Sequence, residues 1–220
     1  MEKDLEMLKQ CPLFDQIEKS DLKVLLGCLA AVRRSYEKNE FVFLAGDAVR
    51  SVGIVLAGGV HVLQEDYWGN STILAHIPPG GLFGEAFSCA EINRLPVSVM
   101  AATKTEVLLL DYRRIITTCS SSCAFHLALI ENMMKLLAQK NIMLTQKMEI
   151  ITHRTTRARL LAFLSIQAMK AGKSRFTIPF NRRQLADYLS VERSAMSAEL
   201  SHMQADGLIR TNKSEFELFL

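Results

Sequence analysis

From Ala124 to Thr152 the chain contains neither glycine nor proline, and within that run Ile130, Leu137, Leu144 and Ile151 recur every seven residues. Met134, Asn141 and Met148 fall at the intervening position, four residues further on in each repeat. A repeat of seven sustained over this length predicts one long α-helix with a narrow apolar seam, the pattern of a helix that pairs with a second helix. Asn141 lies in the middle of that seam, where a polar side chain costs stability but fixes register and partner number. Ile130, Met134, Leu137, Asn141, Leu144, Met148 and Ile151 are therefore the expected homodimer interface. The competing reading is a helix packed on its own domain, with the methionines as pliable filling.

The residues before this helix have a different texture. Eight of the eleven glycines fall between Gly46 and Gly84. Among them lie short apolar runs rich in β-formers: 41–44, 52–56, 60–63 and 72–77, followed by 97–101 and 107–110. Short runs separated by turn signals predict an antiparallel sandwich or barrel. Ala45-Gly46-Asp47 and Ala57-Gly58-Gly59 read as turns, Trp68-Gly69-Asn70 as a hairpin tip, and Pro78-Pro79-Gly80-Gly81 as a break. At 220 residues, with 49% hydrophobic and 22% charged, the chain has enough apolar material for two small cores and is not disordered. The expected fold is α+β: a β-domain over 1–122, a dimerisation helix over 123–152, and a C-terminal domain over 153–220.

That last part differs in charge. Residues 1–152 carry 15 Lys and Arg against 17 Asp and Glu, whereas residues 153–220 carry 11 against 6. Only the final third is basic, which points to a polyanion partner for that end alone. Within it, Asn181 can cap a helix over 182–189, Ser190-Val191-Glu192 breaks it, and a second helix runs from about Arg193 to Ala205, with Gly207 as its stop. Two short helices joined by a tight break predict a helix-turn-helix. The alternating pieces 208–211 and 216–219 would pair as a small β-wing. Arg193, Ser194, Ser197 and Ser201 are the expected groove-facing side chains, since arginine forks match guanine edges and serines bond bases or phosphates. Arg182, Arg183 and Arg210 are candidate backbone-phosphate contacts, and the second helix's N-terminus is itself an anion site.

The sequence resembles the Crp/Fnr regulators along nearly its whole length. The resemblance rests on Leu185-Ala186 and Leu189, on 191–200, and on Asp206-Gly207-Leu208-Ile209. Upstream it rests on Gly46-Asp47, Val55-Leu56-Ala57-Gly58 and Gly80-Gly81-Leu82-Phe83-Gly84-Glu85. It implies a cyclic-nucleotide-binding-type β-roll with a jelly-roll-like fold, a dimer helix and a winged helix-turn-helix. It further implies a bacterial transcription regulator that binds double-stranded DNA. An activator of this kind would also touch RNA polymerase. Two departures stand out: Ala198 occupies a position where the family commonly has a base-reading arginine, and Ser190 one where many have glycine.

For the effector, the resemblance implies Gly84 and Glu85 at the ligand, Glu85 taking a ribose hydroxyl in cyclic-nucleotide members. The Arg-Ser pair that holds a cyclic phosphate in those members is missing; the stretch reads Arg94-Leu95-Pro96-Val97-Ser98. A proline also lacks the N–H a phosphate would want. Another small molecule, held by Gly84, Glu85, Arg94, Ser98 and Asn141, is therefore preferred over a cyclic nucleotide. No cofactor is assigned. The five cysteines, Cys11, Cys28, Cys89, Cys119 and Cys123, are too dispersed for a disulfide framework, a zinc ribbon or an N-terminal iron–sulfur cluster. His61 and His76 read as structural rather than as haem ligands. No phosphate loop, nucleophile elbow or metal-type histidine spacing suggests an enzyme. The N-terminus does not read as a signal peptide and no run could span a membrane, so a cytoplasmic protein is expected. The rival reading is a nucleotide-binding signalling module with no DNA role.

Overall fold

The computed structural model describes residues 2–68, 71–117 and 124–219. The expected hairpin tip at Gly69-Asn70 and the cysteines Cys119 and Cys123 lie outside them. The chain divides into two compact units, Met1–Ala138 and Gln139–Leu220.

In the first unit, α1 (Glu2–Lys9), a 3-10 turn (Pro12–Phe14) and α2 (Lys19–Cys28) precede eight strands. These are β1 (Val32–Tyr36), β2 (Phe41–Phe43), β3 (Ser51–Ala57), β4 (Val60–Glu65), β5 (Ser71–Ile77), β6 (Leu82–Phe83), β7 (Ser98–Ala101) and β8 (Thr105–Asp111). The short α3 (Glu85–Cys89) follows β6 and α4 (Tyr112–Ile116) follows β8. The strands form two antiparallel four-stranded sheets, ordered β1-β8-β3-β6 and β2-β7-β4-β5. Val55, Val60, Phe83, Val99 and Val107, drawn from both sheets, make the core between them. The opposite face of β3 sends Val52, Ile54 and Leu56 into a second core with Leu5, Leu8, Leu22 and Leu25 of the N-terminal helices. Being covered on both faces is why β3 reads as an unbroken apolar run. Gly53 lies within it because a Cβ there would sit 2.1 Å from the Phe83 ring.

One strand escaped the sequence reading. β1 (VRRSY) carries adjacent arginines and lies at a sheet edge, paired only to β8, so it has no apolar alternation to betray it. β6 is two residues long. The other expected strands are present with ends shifted by one or two residues.

The long helix α5 (Ala124–Thr152) is continuous through the boundary between the units. Its first half packs into the first unit: Leu129 and Met133 are buried, and the Asn132 amide donates to the carbonyls of Leu13 and Asp15 at 3.2 and 2.8 Å. Its far end sends Ile150 into the second core. Of the heptad positions, Met134, Leu144 and Met148 are 63–66% exposed, while Ile130 and Ile151 are half-buried. Leu137 is also half-buried and packs against its own β-domain, so that position answers to intrachain packing as well.

The second unit continues with α6 (Thr156–Ala171), β9 (Arg175–Thr177), α7 (Arg182–Leu189), α8 (Arg193–Ala205), β10 (Ile209–Asn212) and β11 (Glu215–Leu218). Each helix end obeys local chemistry. Thr155 caps α6, Gly172 ends it at φ +64°, and Asn181 with Gln184 forms a reciprocal capping box on α7. The wing has three strands, ordered β10-β11-β9. Phe163, Leu185, Leu189, Met196, Leu200, Met203 and Phe216 share one core.

Candidate nucleic-acid interface and sensor elements

Ala186, 1% exposed, is the small residue of α7's buried face, and the N–H of Val191 returns to its carbonyl at 3.0 Å, closing the turn into α8. Ser190 takes up the left-handed conformation, φ +53°, at the place where glycine would be unstrained. Arg159 secures that turn. Its guanidinium donates to the carbonyls of Leu189 at 3.1 Å, Ser190 at 2.8 Å and His153 at 2.8 Å. Arg157 ties α6 to the end of α8 through Glu199, at 3.5 Å, and Asp206. Neither arginine stood out in the sequence, where both looked like free positive charge.

The first turn of α8 leaves Arg193, Ser194, Ser197 and Ala198 exposed, with Met196 and Leu200 turned inward. Arg193 and Arg183 have no ion-pair partner among the described residues. The other expected contacts are placed differently. Arg182 is half-buried: Nη2 donates to Thr211 Oγ1 at 2.8 Å and the guanidinium lies 5.2 Å from the centre of the Phe216 ring. Burial lowers its pKa, and the side chain stitches α7 to the wing instead of reaching outward. Ser201 Oγ donates to the Ser197 carbonyl one turn back, at 3.1 Å. Arg210 is exposed but pairs with Glu217 at 3.8 Å across the wing, and Arg175 pairs with Glu215 at 3.6 Å.

The N-terminus of α8 is not open to an anion as the sequence suggested. Glu192 caps it, accepting from the N–H groups of Ser194 at 2.9 Å and Ala195 at 2.7 Å and from the Ser194 hydroxyl. That hydroxyl, and then the two N–H groups, hold the Glu192 carboxyl below the ordinary carboxylate range. The same contacts turn Ser194 toward its own cap. Lys213, at the exposed tip of the β10–β11 hairpin with φ +53°, is a free cation the sequence reading passed over. The Asn-Lys-Ser-Glu tip between two short strands was the available signal.

In the first unit, Gly84 enters α3 at φ +79° with Glu85 as the first helical residue, 5% exposed. A Cβ at Gly84 would press on the Phe43 ring at 3.1 Å and the Ser51 carbonyl at 3.2 Å. Ser98 is buried, but its hydroxyl accepts from the N–H of Ala45 at 2.9 Å and so serves the neighbouring loop. Arg94 is exposed. Asn141 falls in the second unit, where its Oδ1 accepts from Thr145 at 3.4 Å. His61 and His76 face each other across β4 and β5, ring centres 5.1 Å apart. Among the described residues, no group of three or more His, Cys, Asp or Glu could hold a metal ion, and no helix is long and apolar enough to cross a membrane.

Two family models match, in this order: the cyclic nucleotide-binding domain over residues 33–122 and the Crp-like helix-turn-helix domain over residues 158–218. The chain belongs to the Crp/Fnr family. Among curated Crp/Fnr relatives, the cyclic AMP receptor protein of Thermus thermophilus is 24% identical over 215 residues, 96% of this chain and 94% of that protein. The solved structure of the Thermus thermophilus catabolite activator protein is similar over 94% of this chain and 93% of its own, with 22% identity and a TM-score of 0.55. The c-di-GMP-responsive global regulator CLP of Xanthomonas campestris matches over 92% of this chain and all of its own, with 19% identity and a TM-score of 0.58. The Crp/Fnr fold therefore extends over both units, from the sensor β-roll to the winged helix-turn-helix.

Proposed function

We propose that this Crp/Fnr protein is a cytoplasmic homodimer that binds operator DNA in a sequence-specific way, under control of a small molecule held in its β-roll. The observation that carries the reading is the exposed first turn of α8, with an unpaired Arg193 on a helix-turn-helix that Arg159, Glu192 and the wing hold in place. Arg193 would fork to a guanine in the major groove, Ser197 would bond at its side, and Arg183 and Lys213 would reach phosphates. Arg210 joins them once Glu217 releases it. The exposed Met134, Leu144 and Met148, with Ile130, Leu137, Asn141 and Ile151, would meet the same stripe of a second copy. This would set two α8 helices for half-sites one DNA turn apart. Gly84, Glu85, Arg94 and Ser98 would surround the proposed effector. A molecule other than a cyclic nucleotide fits the missing Arg-Ser pair. As an activator the protein would also contact RNA polymerase. A signalling module with no DNA role leaves the winged helix-turn-helix without a purpose.

The test is binding of a duplex selected from a random pool. Arg193→Ala should weaken it by about 1–3 kcal/mol and relax one base position. Unchanged affinity and unchanged base preference would remove Arg193 from the interface.

A further inference from the structure

In the first unit, the segment before β3, the end of α3 and the start of α4 border an open surface pocket of about 240 Å³. Arg50, Arg113, Asn93 and Glu91 line it, with Val49 and Ile92 as apolar wall. The N–H of Tyr112 donates to the carbonyl of Arg50 at 2.9 Å, which holds the two arginine-bearing segments side by side. Asp111 accepts from the N–H of Arg113 at 2.9 Å and so fixes where that side chain leaves α4. It is Arg114, at 4.0 Å, that reaches the Asp111 carboxylate. Arg50 and Arg113 have no carboxylate partner among the described residues.

Two guanidinium groups without a carboxylate partner border one small pocket, and an anion with several oxygens can answer both at once. Planar forks match phosphate oxygens in particular. Glu91, in the left-handed conformation at φ +50°, adds a second requirement. Its carboxylate repels a bare phosphate and rewards a ligand carrying hydroxyl donors. The volume lies below the roughly 300–1,000 Å³ of drug-sized sites, so the ligand is small. We infer that this pocket binds the phosphate monoester of a small polyhydroxy compound, the phosphate between Arg50 and Arg113 and the hydroxyls at Glu91 and Asn93. The site lies beside α3, which begins at Gly84-Glu85 and whose Ser88 hydroxyl donates to the Ser51 carbonyl at 3.1 Å. Occupancy therefore bears on the element that carries the proposed effector motif, while the inference itself does not depend on DNA binding.

Calorimetric titration of the full chain without DNA tests it. The probes are glucose 6-phosphate, ribose 5-phosphate, glycerol 3-phosphate, inorganic phosphate and glucose. At least one ester should bind once per chain, inorganic phosphate roughly tenfold or more weaker, and glucose not at all. Arg50→Gln with Arg113→Gln should weaken the ester by at least about tenfold. Arg193→Gln, which removes the free arginine of α8, should leave it unchanged. Arg113→Lys, which keeps the charge without the fork, should fall between. Failure of all three esters at millimolar concentration, inorganic phosphate binding as well as the best ester, survival of binding in the double variant, or its loss in Arg193→Gln would each overturn the proposal.

Discussion

Arg159→Ala should unfold the DNA-binding unit early while leaving the sensor unit untouched. Three hydrogen bonds disappear with the guanidinium, but they are not equal. The contacts to the Ser190 and His153 carbonyls are exposed, and water can replace them at little loss. The contact to the Leu189 carbonyl is partly buried, and a bond from a charged donor there is worth about 1.5–3 kcal/mol. Leu189 is also the last residue of α7, so the cation adds about 0.3–1 kcal/mol against the negative end of that helix. Together these give about 2–4 kcal/mol. For a unit of this size each kcal/mol is about 4–8 °C, so its transition should fall by roughly 8–30 °C. Scanning calorimetry on the full chain can read this directly, because operator duplex should raise the same transition that the substitution lowers. A shift under about 2 °C would refute the reasoning and show that the turn holds its geometry without the arginine.

Four further outcomes follow from the same contacts. Glu217→Gln should release Arg210, raising affinity for any duplex and steepening its salt dependence by about one phosphate contact, as read by anisotropy across a salt series. Leu144→Glu with Met148→Glu should leave a folded monomer by light scattering, because both side chains are largely exposed within one protomer. Gly53→Ala should cost the sensor unit about 1–3 kcal/mol in urea unfolding, since the new Cβ meets the buried Phe83 ring. Glu192 has a lowered carboxyl pKa, so its capping contribution is fully present above the ordinary carboxylate range and is lost as pH falls through the folded value. The loss of helicity on acidification should therefore contain a component in the parent chain that is absent in Glu192→Gln.

What the sequence disclosed about this fold was whatever chemistry writes locally. Asn181 before an apolar pair, Gly172 and Gly207 after two helices, and the heptad positions of α5 each act within a turn or two, and a reader needs no partner to see them. Residues whose job is set across space were misread. Arg182 and Arg183 are neighbours of the same type, yet one is laid against Phe216 and the other faces solvent, a difference fixed by the helix phase relative to the wing. Counting formal charge overstated the free cations of the last third, because Arg157, Arg159, Arg175 and Arg210 already answer carboxylates or carbonyls within the fold. Glu192 looked like part of a linker because glutamate is not a usual cap. Strand β1 was missed because an edge strand needs only one neighbour and tolerates charge on both faces.

The alternation of acid and base on the wing has a further effect on how such a protein would travel along a genome. Arg175 and Arg210 bring carboxylates with them, so of the wing's cations only Lys213 at the hairpin tip adds net attraction toward phosphate as such. Dwell time on arbitrary sequence would then be short. Discrimination would rest on the few side chains of α8 that meet base edges, and a molecule that lets go of wrong sites quickly can search faster even though it holds each one less firmly.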